Sequence, residues 1–230
     1  MVNMHPYNTV MKRIAPPILA AVGWVCWLVM AAQGQYTYRT LEFPLLNAQS
    51  FNGIDGSNVV GWFTDSNSYT HGFIYNGSAW TSVDAPQSGV TSDTYAFGIS
   101  GTNIVGSYWN GSWSEGFIYN GNTWTMLSNP NAAPVANKDS GTWATGISGS
   151  NVVGYYSDAG FHGFLYNGIS WTTLDTPQGI GATYAEGISG ANIVGYYVDT
   201  NGVSHGFLYD GSSWTTLDAP LAQVMRGVTS

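Results

Sequence analysis

Charge is what this chain has least of. Only 8% of its residues are Asp, Glu, Lys or Arg, where ordinary soluble domains carry about 25%. Five are basic, and two of these, Lys12 and Arg13, stand just before an apolar N-terminal run. Past that run Arg39, Lys138 and Arg226 face all thirteen acidic residues, a balance of −10. A surface that acidic repels phosphate backbones, and nucleic-acid binding needs Lys and Arg to displace counterions, so nucleic acid is not an expected partner. Cysteine is nearly absent as well. The single Cys26 lies inside the apolar run, which leaves the rest of the chain without a disulfide. Helical patterning is missing too: no stretch after Met30 shows an apolar 3.6-residue period of helical length.

What the chain has instead is 30 glycines and 15% aromatic residues. Aromatic and β-branched side chains in that number can bury a core, so the low charge does not signal disorder. Together with many Asn, Ser and Thr they read as turn-rich β structure. At the N-terminus, Met11-Lys12-Arg13, the mostly apolar Ile14 to Met30, and Ala32-Gln33-Gly34 have the charge, length and small residues of an export signal. Cleavage is expected after Gly34, making residues 1–34 a signal peptide and the mature protein extracellular. The rival reading is an uncleaved membrane anchor, which Pro16-Pro17 and the small-residue pattern argue against. Val25 before Cys26 argues against lipid attachment.

The strongest signal is internal repetition. Gly53-Ile54-Asp55-Gly56 returns at Gly98, Gly146 and Gly187, at spacings of 45, 48 and 41 residues. Each copy is followed by Asn-(Val/Ile)-Val-Gly, then Gly-Phe-(Ile/Leu)-Tyr, then a tryptophan at Trp80, Trp124, Trp171 or Trp214. Each unit reads as four strands. Asn76-Gly77, Asn120-Gly121, Asn167-Gly168 and Asp210-Gly211 mark hairpins between the third and fourth, with the positive φ angles of a tight turn. Small residues on the first strand (Ala96, Gly98, Ala144, Gly146, Ala185, Gly187) are what strands converging on an axis require. The expected fold is therefore all-β, a propeller-like array of four four-stranded units at about 50–84, 95–128, 143–175 and 184–218, within a domain spanning 35–220. Tyr38-Arg39-Thr40-Leu41-Glu42-Phe43-Pro44 matches a fourth strand, so an extra N-terminal strand is expected at 36–44. Residues 221–230, ending Gly227-Val228-Thr229-Ser230, read as a tail like the start of a further repeat. Unpaired strand edges would favour self-association.

The run Gly-Ile-Ser-Gly-x-Asn-Ile-Val-Gly-Tyr-Tyr-x-Asp, followed by His-Gly-Phe-Leu-Tyr-x-Gly-x-x-Trp-Thr-Thr-Leu-Asp-x-Pro, resembles the HAF-type repeats of bacterial extracellular proteins over about residues 36 to 220. The resemblance implies export and a propeller-like fold, with no agreed activity. Glu115, where the other units have histidine, departs from it.

Chemistry-bearing residues are few. His71, His162 and His205 share one repeat position, but equivalent positions on successive blades lie too far apart to share an ion, so a structural role at a strand start is expected. Asp65, Asp158 and Asp199 sit in turns that could hold calcium, though turn capping explains them more simply, and no cofactor is expected. The repeated acids Asp84, Asp175, Asp218 and Glu42 follow the fourth strand, where capping again suffices. Among acids, only Asp93, Glu115, Asp139 and Glu186 stand outside the repeat, with no spacing that recommends a hydrolytic pair. No serine–histidine–acid or phosphate-loop pattern is present. Aromatics flanked by Asn are more suggestive: Tyr108, Trp109 and Trp113 crowd round Asn110-Gly111, and Tyr155-Tyr156 and Tyr196-Tyr197 stand at the matching place in later units. Such rings stack on sugars while polar neighbours bond the hydroxyls, although alternation along a strand must bury about half of them. The interrupting loop Ser128 to Gly141 could overhang one face. The expected function is a secreted, non-enzymatic module binding glycans or proteins at or outside the cell surface. A structural, self-assembling scaffold is the competing class, with a propeller-type glycan hydrolase behind it.

Overall fold

Glycine-marked turns separating short alternating segments give the described residues antiparallel meanders. The computed structural model describes residues 48–86, 93–133, 139–178 and 182–218, all within one compact unit, Phe43–Ser230. The expected signal peptide, the extra strand at 36–44 and the tail lie outside the described residues. All regular structure in the described residues is strand. Blade 1 comprises β1 (Ala48–Asp55), β2 (Asn58–Thr64), β3 (Thr70–Tyr75) and β4 (Trp80–Val83). Blade 2 comprises β5 (Thr94–Ser100), β6 (Asn103–Trp109), β7 (Ser114–Tyr119) and β8 (Trp124–Leu127). Blade 3 follows with β9 (Thr142–Ser148), β10 (Asn151–Ser157), β11 (Phe161–Tyr166) and β12 (Trp171–Leu174). Blade 4 holds β13 (Ala182–Ser189), β14 (Asn192–Val198), β15 (Ser204–Tyr209) and β16 (Trp214–Leu217). Each blade is an antiparallel sheet in chain order, and one parallel pairing, Phe161 with Ala182, links blades 3 and 4.

The repeat motifs now acquire causes. Glycine recurs on the first strands because those strands meet. A methyl group built on Gly98 would sit 3.1 Å from the Thr145 carbonyl oxygen and 3.3 Å from Gly146 Cα in the next blade. Any side chain there would push two backbones apart. The serine of Gly-Ile-Ser-Gly ties blades together: Ser100 Oγ accepts from the Gly149 amide and Ser148 Oγ from Gly190, both at 3.1 Å, and Asp55 takes the Gly101 amide likewise. Within a blade, the Tyr of Gly-Phe-(Ile/Leu)-Tyr packs on its cross-strand Trp at 4.5–4.7 Å. The hydroxyls of Tyr75, Tyr166 and Tyr209 also donate to the carbonyl of the turn glycine.

The hairpins differ from expectation in one detail. The loop between β3 and β4 has four residues, and only Gly77 of Asn76-Gly77 has positive φ, at 94°. Asn76 instead turns its carboxamide inward, where Oδ1 accepts from the Ser78 and Ala79 amides at 3.0 and 2.9 Å. Asn120, Asn167 and Asp210 do the same.

The core lies between blades. Val60 and Val83 of blade 1 pack with Ala96, Ile99, Ile104 and Phe117 of blade 2. Val105 and Leu127 pack with Ala144, Ile147, Val152 and Phe164, and Val153 and Leu174 with Ala185, Ile193 and Phe207. A buried Val or Leu contributes about 1.5–3 kcal/mol, so each junction between blades is itself a small hydrophobic core.

Candidate functional site

Counting from the glycine of each second strand sorts the aromatics into two sets. The residues two positions on, Phe63, Tyr108, Tyr156 and Tyr197, are at most 7% exposed. Tyr108, Tyr156 and Tyr197 were among the expected ligand residues and are corrected to core: alternation points them into the blade interior. Their hydroxyls are spoken for, Tyr108 donating to Glu115 Oε2 at 2.5 Å, and Tyr156 and Tyr197 lying 3.2 Å from the Thr173 and Thr216 hydroxyls. Burial and the Glu115 carboxylate push the Tyr108 phenol well above its ordinary range.

The residues one position on face the other way and pair with the first strand: Trp62 with Ser50, Ser107 with Tyr95, Tyr155 with Trp143, Tyr196 with Tyr184. They form an aromatic belt crossing blade boundaries. Trp62 meets Tyr95 edge-on at 5.5 Å, Trp143 stacks on Tyr155 at 5.0 Å, Tyr155 meets Tyr184 at 4.9 Å, and Tyr184 stacks on Tyr196 at 4.6 Å. Burial is the main cause that raises the Tyr155 phenol, with the Glu186 carboxylate adding to it. Glu186 is itself raised by burial.

Blade 2 breaks the belt. Where blades 1, 3 and 4 have Trp62, Tyr155 and Tyr196, it has Ser107, and a cleft of about 380 Å³ opens there. Its walls are Trp62, Tyr95, Phe97, Trp109, Trp143 and Tyr155. Asp93, Asp139, Ser107 and Ser114 supply its polar groups. Two ties hold this lining. Asp93 is buried, with Oδ1 accepting the Thr70 amide of blade 1 at 3.0 Å and its carbonyl accepting the Trp109 amide at 2.9 Å. On the other side, Asp139 leads into Gly141, which bridges Ser114 of blade 2 and donates its amide to Ser157 Oγ of blade 3 at 2.8 Å. Gly141 has φ +124°, and a Cβ there would lie 1.8 Å from the Ser114 carbonyl oxygen, so only glycine fits.

Of the expected ligand residues, then, Trp109 and Tyr155 come together in the cleft. Trp113 lines a smaller adjacent hollow of about 160 Å³ with Glu115, Ser128 and Asn129. Asn110 caps its turn, Oδ1 accepting from Ser112 and Trp113 at 2.9 and 3.0 Å. Tyr196 lies on blade 4 at the far end of the belt, 37% exposed. Trp62, Tyr95, Phe97 and Trp143 were not singled out from the sequence. The signal that marks the spot was the serine at position 107.

The three histidines take part in repeated carboxylate–imidazole–carboxylate groups. Nδ1 of His71, His162 and His205 lies 2.9–3.0 Å from Asp84, Asp175 and Asp218. Nε2 lies 3.7, 3.0 and 3.5 Å from Asp65, Asp158 and Asp199. The rings stack on Phe63, Tyr156 and Tyr197 at 5.1–5.3 Å. Asp65 and Asp199 also accept two backbone amides each within their turns, as turn caps do. Among the described residues, no group of three or more His, Cys, Asp or Glu side chains is placed to hold a metal ion.

No family model matches the chain, and no curated protein does. Solved structures are similar in fold. The acylaminoacyl peptidase of Pyrococcus horikoshii matches over 79% of this chain and 28% of its own, at 11% identity and TM-score 0.48. The fucose-specific lectin from Aleuria aurantia matches over 75% of this chain and 60% of its own, at 18% identity and TM-score 0.43. A second structure of that lectin, described as a six-bladed β-propeller with a novel fucose recognition mode, gives 76%, 62%, 18% and 0.41. Within the described residues the chain is a propeller-like array: four four-stranded antiparallel units in chain order, with a small core at each junction. It spans between 28% and 62% of the length of these proteins, and the likeness is one of fold alone.

Proposed function

We propose that this protein is a secreted, non-enzymatic glycan-binding module, and that its site is the cleft at Ser107. The observation that carries the reading is the break in the aromatic belt. A gap with aromatic walls and two carboxylates at its polar positions offers a sugar both of the surfaces it needs. Pyranose C–H faces pack on Trp62, Trp109 and Trp143, and hydroxyls donate to Asp93 and Asp139. The carboxylate hydrogen-bonded to Thr70 is held rigidly, and rigid acceptors select hydroxyl geometry. An extracellular setting is supported by the basic n-region, the apolar run and the small residues before Gln35.

The test is a glycan-array screen of the chain from Gln35 onward, with a heat-unfolded control. The expected result is fold-dependent binding that Trp109→Ala weakens by roughly tenfold or more, as loss of a central aromatic anchor does. Trp113→Ala, in the neighbouring hollow, is expected to change it little. Absence of binding by a folded chain, or equal loss in both variants, contradicts the reading.

A further inference from the structure

Each of the three junctions between blades is made from the same two surfaces. The trailing surface of one blade presents a valine of its second strand and a Val or Leu of its fourth. The leading surface of the next presents the Ala and Ile of its first strand. At the junctions Val60, Val105 and Val153 are 0% exposed and Val83, Leu127 and Leu174 only 2–3%. Blade 4 has the same trailing residues, yet Val194 is 44% exposed and Leu217 50%. Blade 1 shows the reverse. Its leading Ile54 is 72% exposed, where Ile99 and Ile147 are 7% and 8%. Phe51, at the position of the fully buried Ala96, Ala144 and Ala185, is 41% exposed.

The backbone is open at the same place. A methyl group on Gly53, Gly98 or Gly146 would lie 3.1–3.3 Å from the Cα of the next blade's glycine, whereas one on Gly187 meets only Val194 of its own blade, at 3.4 Å. Ser189 stands where Ser100 and Ser148 accept the next blade's turn-glycine amide. Gly56 of blade 1, with φ +59° and nothing within 4 Å of its would-be Cβ, is a turn glycine of the same kind as Gly101, Gly149 and Gly190.

We infer that the trailing surface of blade 4 packs on the leading surface of blade 1 of a second copy of this chain, head to tail. The two open surfaces carry the close-approach glycine, the serine cap and the Val, Leu and Ile of a junction that the molecule already forms three times; Phe51, larger than the alanine buried at the other three, is the one position where the new junction must repack. Such contact is heterologous: the two surfaces differ, and it propagates from copy to copy unless the rotation closes a ring. It involves neither Ser107 nor Trp109, so it stands or falls independently of glycan binding.

Sedimentation across a concentration series, on the chain from Gln35 that retains the whole compact unit Phe43–Ser230, reads the association directly. The wild-type mass is expected to rise above the monomer. Val194→Glu spoils only the trailing surface and Ile54→Glu only the leading one, both at exposed positions that leave the blades intact. Either is expected to raise the midpoint concentration roughly 100-fold or more, because it buries an unpaired charge. An equimolar mixture of the two variants is expected to associate again and to stop at a dimer, since one good surface of each kind remains. A wild-type chain that stays monomeric at every concentration overturns the inference. A mixture that stays monomeric also overturns it, and so does a single variant that associates as the wild type does, which would mean contact between like surfaces.

Discussion

His162 is held between two acids, and that placement fixes how stability must respond to pH. A neutral imidazole can donate to only one carboxylate, whereas the imidazolium donates to both Asp175 and Asp158. Burial opposes the charge on His162, but the hydrogen bond and field of Asp175, joined by Asp158, outweigh it, and its pKa is raised. The hydrogen bond that His205 donates to Asp218 raises its pKa in the same way against a smaller desolvation, with Asp199 assisting. Asp158 is lowered, first by the Gly160 amide and then by His162. A raised histidine contributes stability that is complete below its unfolded value, about 6.5, and is lost as pH climbs through the folded value. A depressed aspartate contributes above its unfolded value, about 3.9, and the contribution fades as pH falls. These groups therefore place the stability maximum between about pH 4 and 6.5. Thermal melts are expected to show Tm declining from pH 6 to pH 8, on a shallower slope in His162→Gln. A Tm that rises over that interval contradicts the pairing. In blade 2, Glu115 replaces the histidine and bonds Tyr108 and Ser128 instead, the latter at 3.4 Å. A carboxylate in the histidine's place therefore still finds donors.

At the scale of the strand, the first strands show how one repeated residue can matter differently from blade to blade. Gly98 faces two backbone atoms of one strand of the next blade, the Thr145 carbonyl oxygen and Gly146 Cα, and Gly187 faces one methyl group of its own blade. Alanine at position 98 is expected to cost about 1–3 kcal/mol, the usual range for overpacking where the neighbours cannot move. Alanine at position 187 is expected to cost far less in the dilute monomer. Denaturant midpoints of the two variants check this, and equal losses would mean that the strands do not meet as described. The four-strand unit itself was legible from residues: the glycine anchors, the Asn-Gly loops and the closing tryptophans are each demanded by a local contact. The phase of the second strand was harder to read. Taking Tyr108-Trp109 as equivalent to Tyr155-Tyr156 shifts the alignment by one and turns core tyrosines into ligand residues. Counting from Gly106 and Gly154 restores the register, because a one-residue slip sends every side chain to the other face.

Across the whole molecule, the cleft was only half visible in the sequence. Trp109, Asp93 and Asp139 stand out as departures from the repeat. Trp62, Tyr95 and Trp143, however, belong to three blades and ordinary repeat positions, and they converge only because blade faces pack. The same packing makes a serine in place of an aromatic into a hole rather than a neutral change. Ser107→Tyr tests this account most directly, since it installs the residue that blades 3 and 4 already carry at that position. Calorimetric titration with the best glycan from the array should show affinity reduced roughly tenfold or more in this variant, with Tm unchanged or higher. Full affinity in a folded Ser107→Tyr protein would mean that the ligand binds elsewhere, and that the break in the aromatic belt is not the site.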